Sequence, residues 1–189
     1  MRNRRILGVD PGLTRCGLAV IEELPGRKVE AVFFDTVRSS AETALEVRIA
    51  EIAKSIEELI QTQSPDVIAI ERVFAQANLR SVMGVAQISG VVLYLAAKYG
   101  IPVHFHTPSE VKAAVTGSGR AAKAQIGSAV AKILGLTEPP KPADTADALA
   151  IAITHSWRGP SSTGGSGSQT KAQAAWAAAE RASKSRKKP

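Results

Sequence analysis

The chain has 189 residues, of which 44% are hydrophobic and 22% charged, so it can bury the core of one domain and is not disordered as a whole. Lys and Arg outnumber Asp and Glu by 24 to 17, and the net charge of +7 favours an anionic partner. The excess lies at the two ends, because residues 159–189 carry +5, residues 1–5 carry +3, and residues 6–158 sum to −1.

The cysteine content and the N-terminus indicate the compartment. A single cysteine, Cys16, excludes an intramolecular disulfide framework and favours a reducing environment. The first apolar run is broken by Asp10 and Pro11 too early to be a signal-peptide core, and no stretch approaches the length of a membrane span. We therefore expect a soluble, cytoplasmic protein without a membrane association.

The spacing of apolar residues predicts ten elements in chain order. Three strands with short connections come first and suggest an antiparallel meander, and two crossover units follow. The expected class is α/β, a mixed five-stranded sheet with three antiparallel and then two parallel strands and helices on both faces. The predicted strands are Arg4–Val9, Gly17–Glu22, Val29–Val37, Val67–Ile70 and Pro102–His106, and the predicted helices are Glu42–Gln63, Asn78–Lys98, Ser109–Val115, Lys123–Leu134 and Ala143–Trp157.

The composition changes abruptly after Trp157. The run RGPSSTGGSGSQT has no apolar periodicity and is typical of a flexible linker, and the Ala-rich segment beyond it ends in a basic cluster. We expect a folded domain over residues 1–158, followed by a linker and basic tail over residues 159–189. The tail either adds salt-dependent affinity for nucleic acid or is dispensable.

Two carboxylates end apolar strands. Asp10 closes the first strand before Pro11, and Glu71 closes the fourth. Carboxylates often cap strands, and either one alone is explained in that way. If strands one and four are neighbours, however, both side chains project at the carboxyl edge of the sheet, where sites gather in sheets with crossover helices.

A second pair of acids lies at the start of the last helix. Asp144 and Asp147 are three residues apart and therefore share a face. Acids favour a helix N-terminus, so Asp144 alone is explained equally well as a capping residue. Asp147 enters an apolar helix and needs a partner, and the only nearby basic residue in sequence is Lys141.

Four acids that meet in space would repel one another unless a cation lay among them. Oxygen-only ligands select Mg²⁺ or Mn²⁺ rather than zinc. Asp10, Glu71, Asp144 and Asp147 supply too few ligands to fill two octahedra, which leaves places for water and for phosphate oxygens. This is the two-metal arrangement for phosphodiester hydrolysis, with ions about 4 Å apart.

Four motifs in order over residues 5–156 resemble those of the RuvC family, the bacterial crossover junction endodeoxyribonucleases or Holliday junction resolvases: GVDPGLTRCGLAV, IAIERVF, GVAQISGVV and ADTADALAIAITH. The resemblance implies an RNase H-like (integrase-like) fold, a homodimer and Mg²⁺ dependence, with Mn²⁺ as a possible substitute. It implies paired symmetrical nicks across four-way DNA junctions in recombination and repair, leaving 5′-phosphate and 3′-hydroxyl ends. It also implies the branch-migration motor RuvAB as a partner.

The resemblance places the catalytic acids at the four positions above and adds three DNA contacts. It implies that Phe74 stacks on a base near the crossover, although a core Phe is the usual alternative. It places Lys112 and Lys123 near the scissile phosphate, although each is equally a solvated helix lysine. The glycine-rich loop at residues 116–120 either approaches phosphate or is a plain turn.

The remaining candidates have ordinary explanations. His104 and His106 face one side of a strand, but no further His or Cys has metal-ligand spacing, and His155 is too far from Asp147 to share its metal. The helix over residues 78–98 is apolar almost all round, so it is a dimer surface, a central core helix or both.

Three alternatives remain open at this point. The first motif also resembles the phosphate loop of actin-like and sugar-kinase ATPases, but those enzymes need two such domains. A non-catalytic junction-binding protein is disfavoured by the four intact acids. A nuclease of the same fold that acts on RNA–DNA hybrids is disfavoured by the motif match alone.

Overall fold

The computed structural model describes residues 2–72 and 79–159, and within them it contains the ten elements in the predicted order. Each lies within a few residues of its predicted bounds. The strands are β1 (Arg5–Asp10), β2 (Arg15–Leu24), β3 (Lys28–Arg38), β4 (Val67–Glu71) and β5 (Val103–His106), and the helices are α1 (Leu45–Gln63), α2 (Leu79–Tyr99), α3 (Pro108–Thr116), α4 (Lys123–Leu134) and α5 (Ala143–Arg158).

The strands form one mixed sheet in the order β3-β2-β1-β4-β5. Strands β1, β2 and β3 pair antiparallel through short connections, whereas β4 pairs parallel to β1 and β5 parallel to β4. Parallel neighbours need a crossover, and α1 and α2 provide the two crossovers. The predicted arrangement of three antiparallel and then two parallel strands is confirmed, including the neighbouring positions of β1 and β4.

Helices cover both faces of the sheet and create two cores. Alternation along β1 sends Ile6 to the core shared with α3, α4 and α5, and sends Leu7 and Val9 to the core shared with α1 and α2. All three side chains are fully buried. Strand β1 is therefore covered on both sides, which fixes the position of its last residue, Asp10.

Helix α2 departs from the sequence expectation about membranes. Its segment Val82–Tyr99 has a mean hydropathy of 1.4 over 18 residues, so by length and composition it is apolar enough to cross a membrane. The prediction that no stretch approaches that length was therefore wrong. One face of the helix packs in the core of this fold, where Ile88, Val92 and Leu95 are buried against the sheet.

Helix α5 lies unusually close to the sheet because two glycines face it. A Cβ at Gly8 would lie 2.2 Å from the Ala148 carbonyl oxygen, and a Cβ at Gly17 would lie 2.2 Å from the Asp144 carbonyl oxygen. Both glycines lie on the strands below α5, β1 and β2. The missing side chains let α5 bring its first turn down onto the end of β1.

The C-terminal half of α5 meets the other two histidines of the chain, a grouping that the sequence did not indicate. His155 is fully buried; its Nδ1 lies 3.2 Å from Nε2 of His106, and its ring stacks on that of His104 with centroids 4.9 Å apart. The Arg4 guanidinium lies 3.4 Å from Nε2 of His155. Since Arg4 only donates, Nε2 accepts and the ring proton is on Nδ1, which donates to His106.

This geometry makes protonation of His155 unfavourable. Burial, with further contributions from His106 and His104, lowers the pKa of His155 to about 4 from 6.5. The unfolded chain takes up the proton below about pH 6.5 and the folded chain only below about pH 4, so this residue costs stability as the pH falls through that window.

We expect the free energy of unfolding of His155→Gln to rise by about 2 kcal/mol relative to that of the wild type when the pH falls from 7 to 5. The measurement is urea unfolding of both proteins at both pH values in EDTA, and the quantity compared is the change in their difference. His104→Gln is the matched control, because it removes the histidine that only stacks on the ring. An unchanged difference for His155→Gln would contradict a neutral buried His155.

Candidate metal centre

Asp10 and Glu71 end two adjacent parallel strands. The register pairs Val9 of β1 with Ile70 of β4, so the next residues, Asp10 and Glu71, lie side by side at the carboxyl edge of the sheet. Both side chains are largely but not wholly buried. The juxtaposition expected from the sequence is therefore present in the structure.

Asp144 and Asp147 complete the cluster from the first two turns of α5. One carboxylate oxygen from each of Asp10, Asp144 and Asp147 lies within 4.8 Å of the others. The helix start is held down beside the sheet, because the Thr145 and Thr36 hydroxyls are 2.8 Å apart and both residues are buried. Glu71 is not part of this close group of three, but its charge acts on Asp10 and that of Asp147 acts on it. We refer to Asp10, Glu71, Asp144 and Asp147 as the carboxylate cluster.

The cluster is electrostatically strained without a cation. Burial first, and then the charges of Glu71, Asp147 and Asp144, raise the pKa of Asp10 from 3.8 to about 7. The pKa of Glu71 is also raised, by burial and then by Asp147. Burial and the neighbouring acids thus disfavour ionisation of Asp10 and Glu71, so the site favours either a retained proton or a bound cation.

Two side-chain cations border the cluster. Lys123 Nζ lies 2.8 Å from an Asp147 oxygen and 3.7 Å from an Asp144 oxygen. Arg15 lies 3.7 Å from the second Asp144 oxygen. Lys141, the partner that sequence proximity suggested for Asp147, pairs instead with Glu138 at 3.5 Å. The folding of α4 against α5 brings a more distant lysine closer than the neighbour in sequence.

The donor set fits a hard divalent cation. All the side chains in the cluster offer carboxylate oxygens, which suit Mg²⁺ or Mn²⁺. Among the described residues, Oδ2 of Asp144 is the one buried side-chain oxygen or nitrogen without a hydrogen bond. A buried carboxylate oxygen without a hydrogen bond is costly; the 3.7 Å contact with Arg15 is too long to supply one, and a metal ion would coordinate this oxygen directly.

The three predicted DNA contacts have different outcomes. Phe74 lies outside the described residues. Lys112 of α3 is close enough to Glu71 that its charge lowers the pKa of that carboxyl, against the larger effect of burial. Lys123 contacts the cluster directly. In the loop at residues 116–120, Gly117 has φ 80° and ends α3 in the left-handed conformation, so turn geometry accounts for that glycine.

Two arginines that border the loop after Asp10 were not identified from the sequence. Arg15 begins β2, and Arg48 lies in α1, far along the chain. Arg15 follows the Asp10 motif within a short loop, and this proximity was an available signal. Arg48 had no such signal, because its position beside the loop results from the packing of α1 on the sheet.

A five-stranded mixed sheet in this order is the RNase H-like fold, and the carboxylates gathered beside the ends of its central strands are those expected of its metal-dependent nucleases. A family model described as Crossover junction endodeoxyribonuclease RuvC matches residues 6–155. The chain therefore belongs to the RuvC family, and the resemblance read from its motifs is confirmed.

Individual relatives agree with this assignment. The chain is 56% identical to the crossover junction endodeoxyribonuclease RuvC of Paenarthrobacter aurescens, over 93% of this chain and 95% of the relative. It is similar to T. thermophilus RuvC solved in complex with Holliday junction substrate, with a TM-score of 0.76 and 34% identity over 80% of this chain and 92% of that one. The yeast mitochondrial Holliday junction resolvase Ydc2 shares the fold, with a TM-score of 0.59 at 15% identity over 82% of this chain and 80% of that one.

Proposed function

We propose that the chain cleaves four-way DNA junctions by metal-dependent hydrolysis, with paired nicks that leave 5′-phosphate and 3′-hydroxyl ends. The observation that carries the proposal is the carboxylate cluster in a chain of the RuvC family. The T. thermophilus relative solved with a Holliday junction substrate supports the choice of DNA.

We assign the carboxylate cluster as the ligands of two Mg²⁺ ions, with Mn²⁺ as a substitute. When bound, the ions lower the pKa of the attacking water and stabilise the leaving 3′-oxygen. Asp10 must lose its proton to serve as a ligand, and its pKa of about 7 makes this easy at slightly alkaline pH. Oδ2 of Asp144 is already held without a competing hydrogen bond.

Lysines beside the cluster support the same chemistry. Lys123 orients Asp147 through the 2.8 Å contact, and the positive charge of Lys112 acts on Glu71. Both charges are placed to offset the negative charge that develops on the phosphate in the transition state. We keep Phe74 as a proposed stacking residue for a base near the crossover, a role that is worth about 1–3 kcal/mol.

The proposed assembly is a homodimer, because two nicks related by symmetry require two active sites. Helix α2 is the proposed contact surface. Its outer face exposes the large apolar side chains Met83, Leu93 and Tyr94. Docking of the RuvAB motor and a cytoplasmic location are further parts of this proposal, and membership of the family supports both.

The C-terminal segment is proposed to add affinity for DNA. The family match stops at residue 155, and α5 ends at Arg158. We propose that residues 1–158 form the nuclease domain and that residues 159–189, with a net charge of +5, are a linker and tail that contact DNA phosphates without reading sequence.

The function is tested with a synthetic four-way junction. We expect the purified full-length protein to introduce symmetrical nicks in Mg²⁺ and to lose this activity in EDTA. A linear duplex of the same sequence is the control and should remain uncut. Equal cleavage of the duplex would overturn the substrate assignment, and tight junction binding without cleavage in Mg²⁺ would identify the non-catalytic alternative.

A further inference from the structure

A buried arginine, Arg48, contacts the loop that follows Asp10 and has no anionic partner among the described residues. Arg48 is only 9% exposed. Its Nε donates to the Ser39 hydroxyl at 2.9 Å, and its Nη2 donates to the Thr14 hydroxyl at 3.0 Å. Across residues 2–72 and 79–159, no carboxylate forms an ion pair with it. A buried charge that contacts only neutral groups is costly, which indicates that an anion completes the site.

Arg48 opens onto a cleft beside the metal centre. The cleft has a volume of about 620 Å³ and begins two residues after Asp10. The described residues that line it include a second arginine, Arg15, and no acidic residue. Its walls come from the loop between β1 and β2, from α1 and from α2, and they comprise Gly12, Leu13, Thr14, Arg15, Arg48, Gly84 and Val85.

Arg15 is held only weakly where it lies. Its side chain is 59% exposed, and its 3.7 Å distance to Asp144 is an ion pair beyond hydrogen-bond length. Exposed pairs of this kind contribute little to stability. A divalent cation on Asp144 would compete with Arg15 for the same carboxylate, so metal binding and an anion in the cleft both favour the release of the guanidinium.

We propose that this cleft is a phosphate site, with Arg48 as the fixed charge at its base and Arg15 as the mobile charge at its rim. Guanidinium groups suit phosphate because their donors match its oxygens in pairs. The position next to Asp10 assigns the site to a backbone phosphate of the junction strand beside the cleavage point. That last assignment rests on the proposed function, whereas the phosphate site itself does not.

The first test measures stabilisation by inorganic phosphate. We expect phosphate to raise the Tm of the metal-free full-length protein above its Tm in chloride at equal ionic strength. The rise should shrink in Arg15→Ala and disappear in Arg48→Met, and Arg48→Lys should retain part of it. If Arg48→Met does not fold, Arg48→Lys and Arg15→Ala decide. An equal rise in all folded variants and the wild type would overturn the site.

The second test measures junction binding in EDTA against salt concentration. We expect Arg15→Ala to reduce the slope of log K against log[salt] by about 1, and Arg15→Lys to restore it. Arg38→Ala is the matched control, because Arg38 is exposed and lies directly opposite Arg15 in the β2–β3 register. An equal loss for Arg38→Ala, or none for Arg15→Ala, would overturn the assignment to a DNA phosphate, and a phosphate-dependent Tm rise would then identify a site for free phosphate.

A third measurement, the affinity for Mn²⁺, should change in the direction opposite to junction binding. Because Arg15→Ala removes a competitor for Asp144, Mn²⁺ should bind the DNA-free variant more tightly than the wild type, even as junction binding weakens. A general structural defect would weaken both. Weaker Mn²⁺ binding by Arg15→Ala would therefore contradict the mobile role of this arginine, whether or not the protein cleaves junctions.

Discussion

Asp10→Asn is expected to lower the rate of junction cleavage by at least about 10³-fold, because even groups that only orient a metal ligand are worth about 10–100-fold. Asp10 is the strand-end member of the carboxylate cluster, and an amide removes the charge that a divalent cation needs. Junction binding should persist, since the proposed phosphate contacts are made by other residues. The measurement is single-turnover cleavage in Mg²⁺ together with junction affinity in EDTA.

The same variant has a second expected effect that separates charge loss from misfolding. The folded pKa of Asp10 is about 7 against 3.8 for the free side chain, so ionisation costs stability above pH 7 and this cost falls away as the pH drops toward 4. At pH 8 in EDTA, the free energy of unfolding of Asp10→Asn should therefore exceed that of the wild type by on the order of 2–4 kcal/mol.

The matched control for Asp10→Asn is Glu30→Gln, which removes an exposed acid from β3. It should leave cleavage and stability unchanged. Undiminished cleavage by Asp10→Asn would overturn the metal assignment. A variant that is both inactive and less stable at pH 8 would show that the carboxyl of Asp10 has a structural role instead.

Gly17→Ala is expected to lower cleavage by about 10²-fold through displacement of Asp144, because a 1 Å error in catalytic geometry costs that much. The added Cβ would lie 2.2 Å from the Asp144 carbonyl oxygen and 2.9 Å from its carbonyl carbon, both of which are backbone atoms. The helix must therefore move away from β2. We also expect a loss of stability of about 1–3 kcal/mol from overpacking.

Gly127→Ala in α4 is the matched control for this substitution. Among the described residues its added Cβ would meet Pro139 alone, at 3.4 Å, so the helix should accept the change. Cleavage rates and Tm values of the two variants give the comparison. If Gly17→Ala kept full activity at a lowered Tm, the close approach of α5 would matter for stability and not for the geometry of the site.

Local patterns were sufficient to predict the elements and the members of the cluster. Asp10 and Glu71 follow short apolar strands, and a strand end fixes where its side chain projects once the sheet order is known. Asp144 and Asp147 share one helical face by spacing alone. These features depend on neighbours in sequence, which is why the fold class and the position of the acids could be anticipated.

Features that depend on contacts between distant residues were not predictable in this way. Lys123 replaces Lys141 as the partner of Asp147 because α4 folds against α5. The stacking of His155 on His104, and the burial of Arg48 beside Thr14, join elements far apart in the chain. A single sequence contains no spacing rule for such pairs.

Two residues that titrate, His155 on α5 and Asp10 at the end of β1 beside it, have opposing effects on stability. Below about pH 6.5, His155 is protonated in the unfolded chain but stays neutral in the folded chain. In the same range Asp10 stays protonated in the folded chain but is ionised in the unfolded chain. In the metal-free protein these two contributions largely cancel between about pH 4 and 6.5. Occupying the carboxylate cluster with cations ionises Asp10 and leaves the histidine contribution unopposed. The metal-loaded protein is therefore expected to lose stability more steeply than the metal-free protein as the pH falls from 6.5 toward 4.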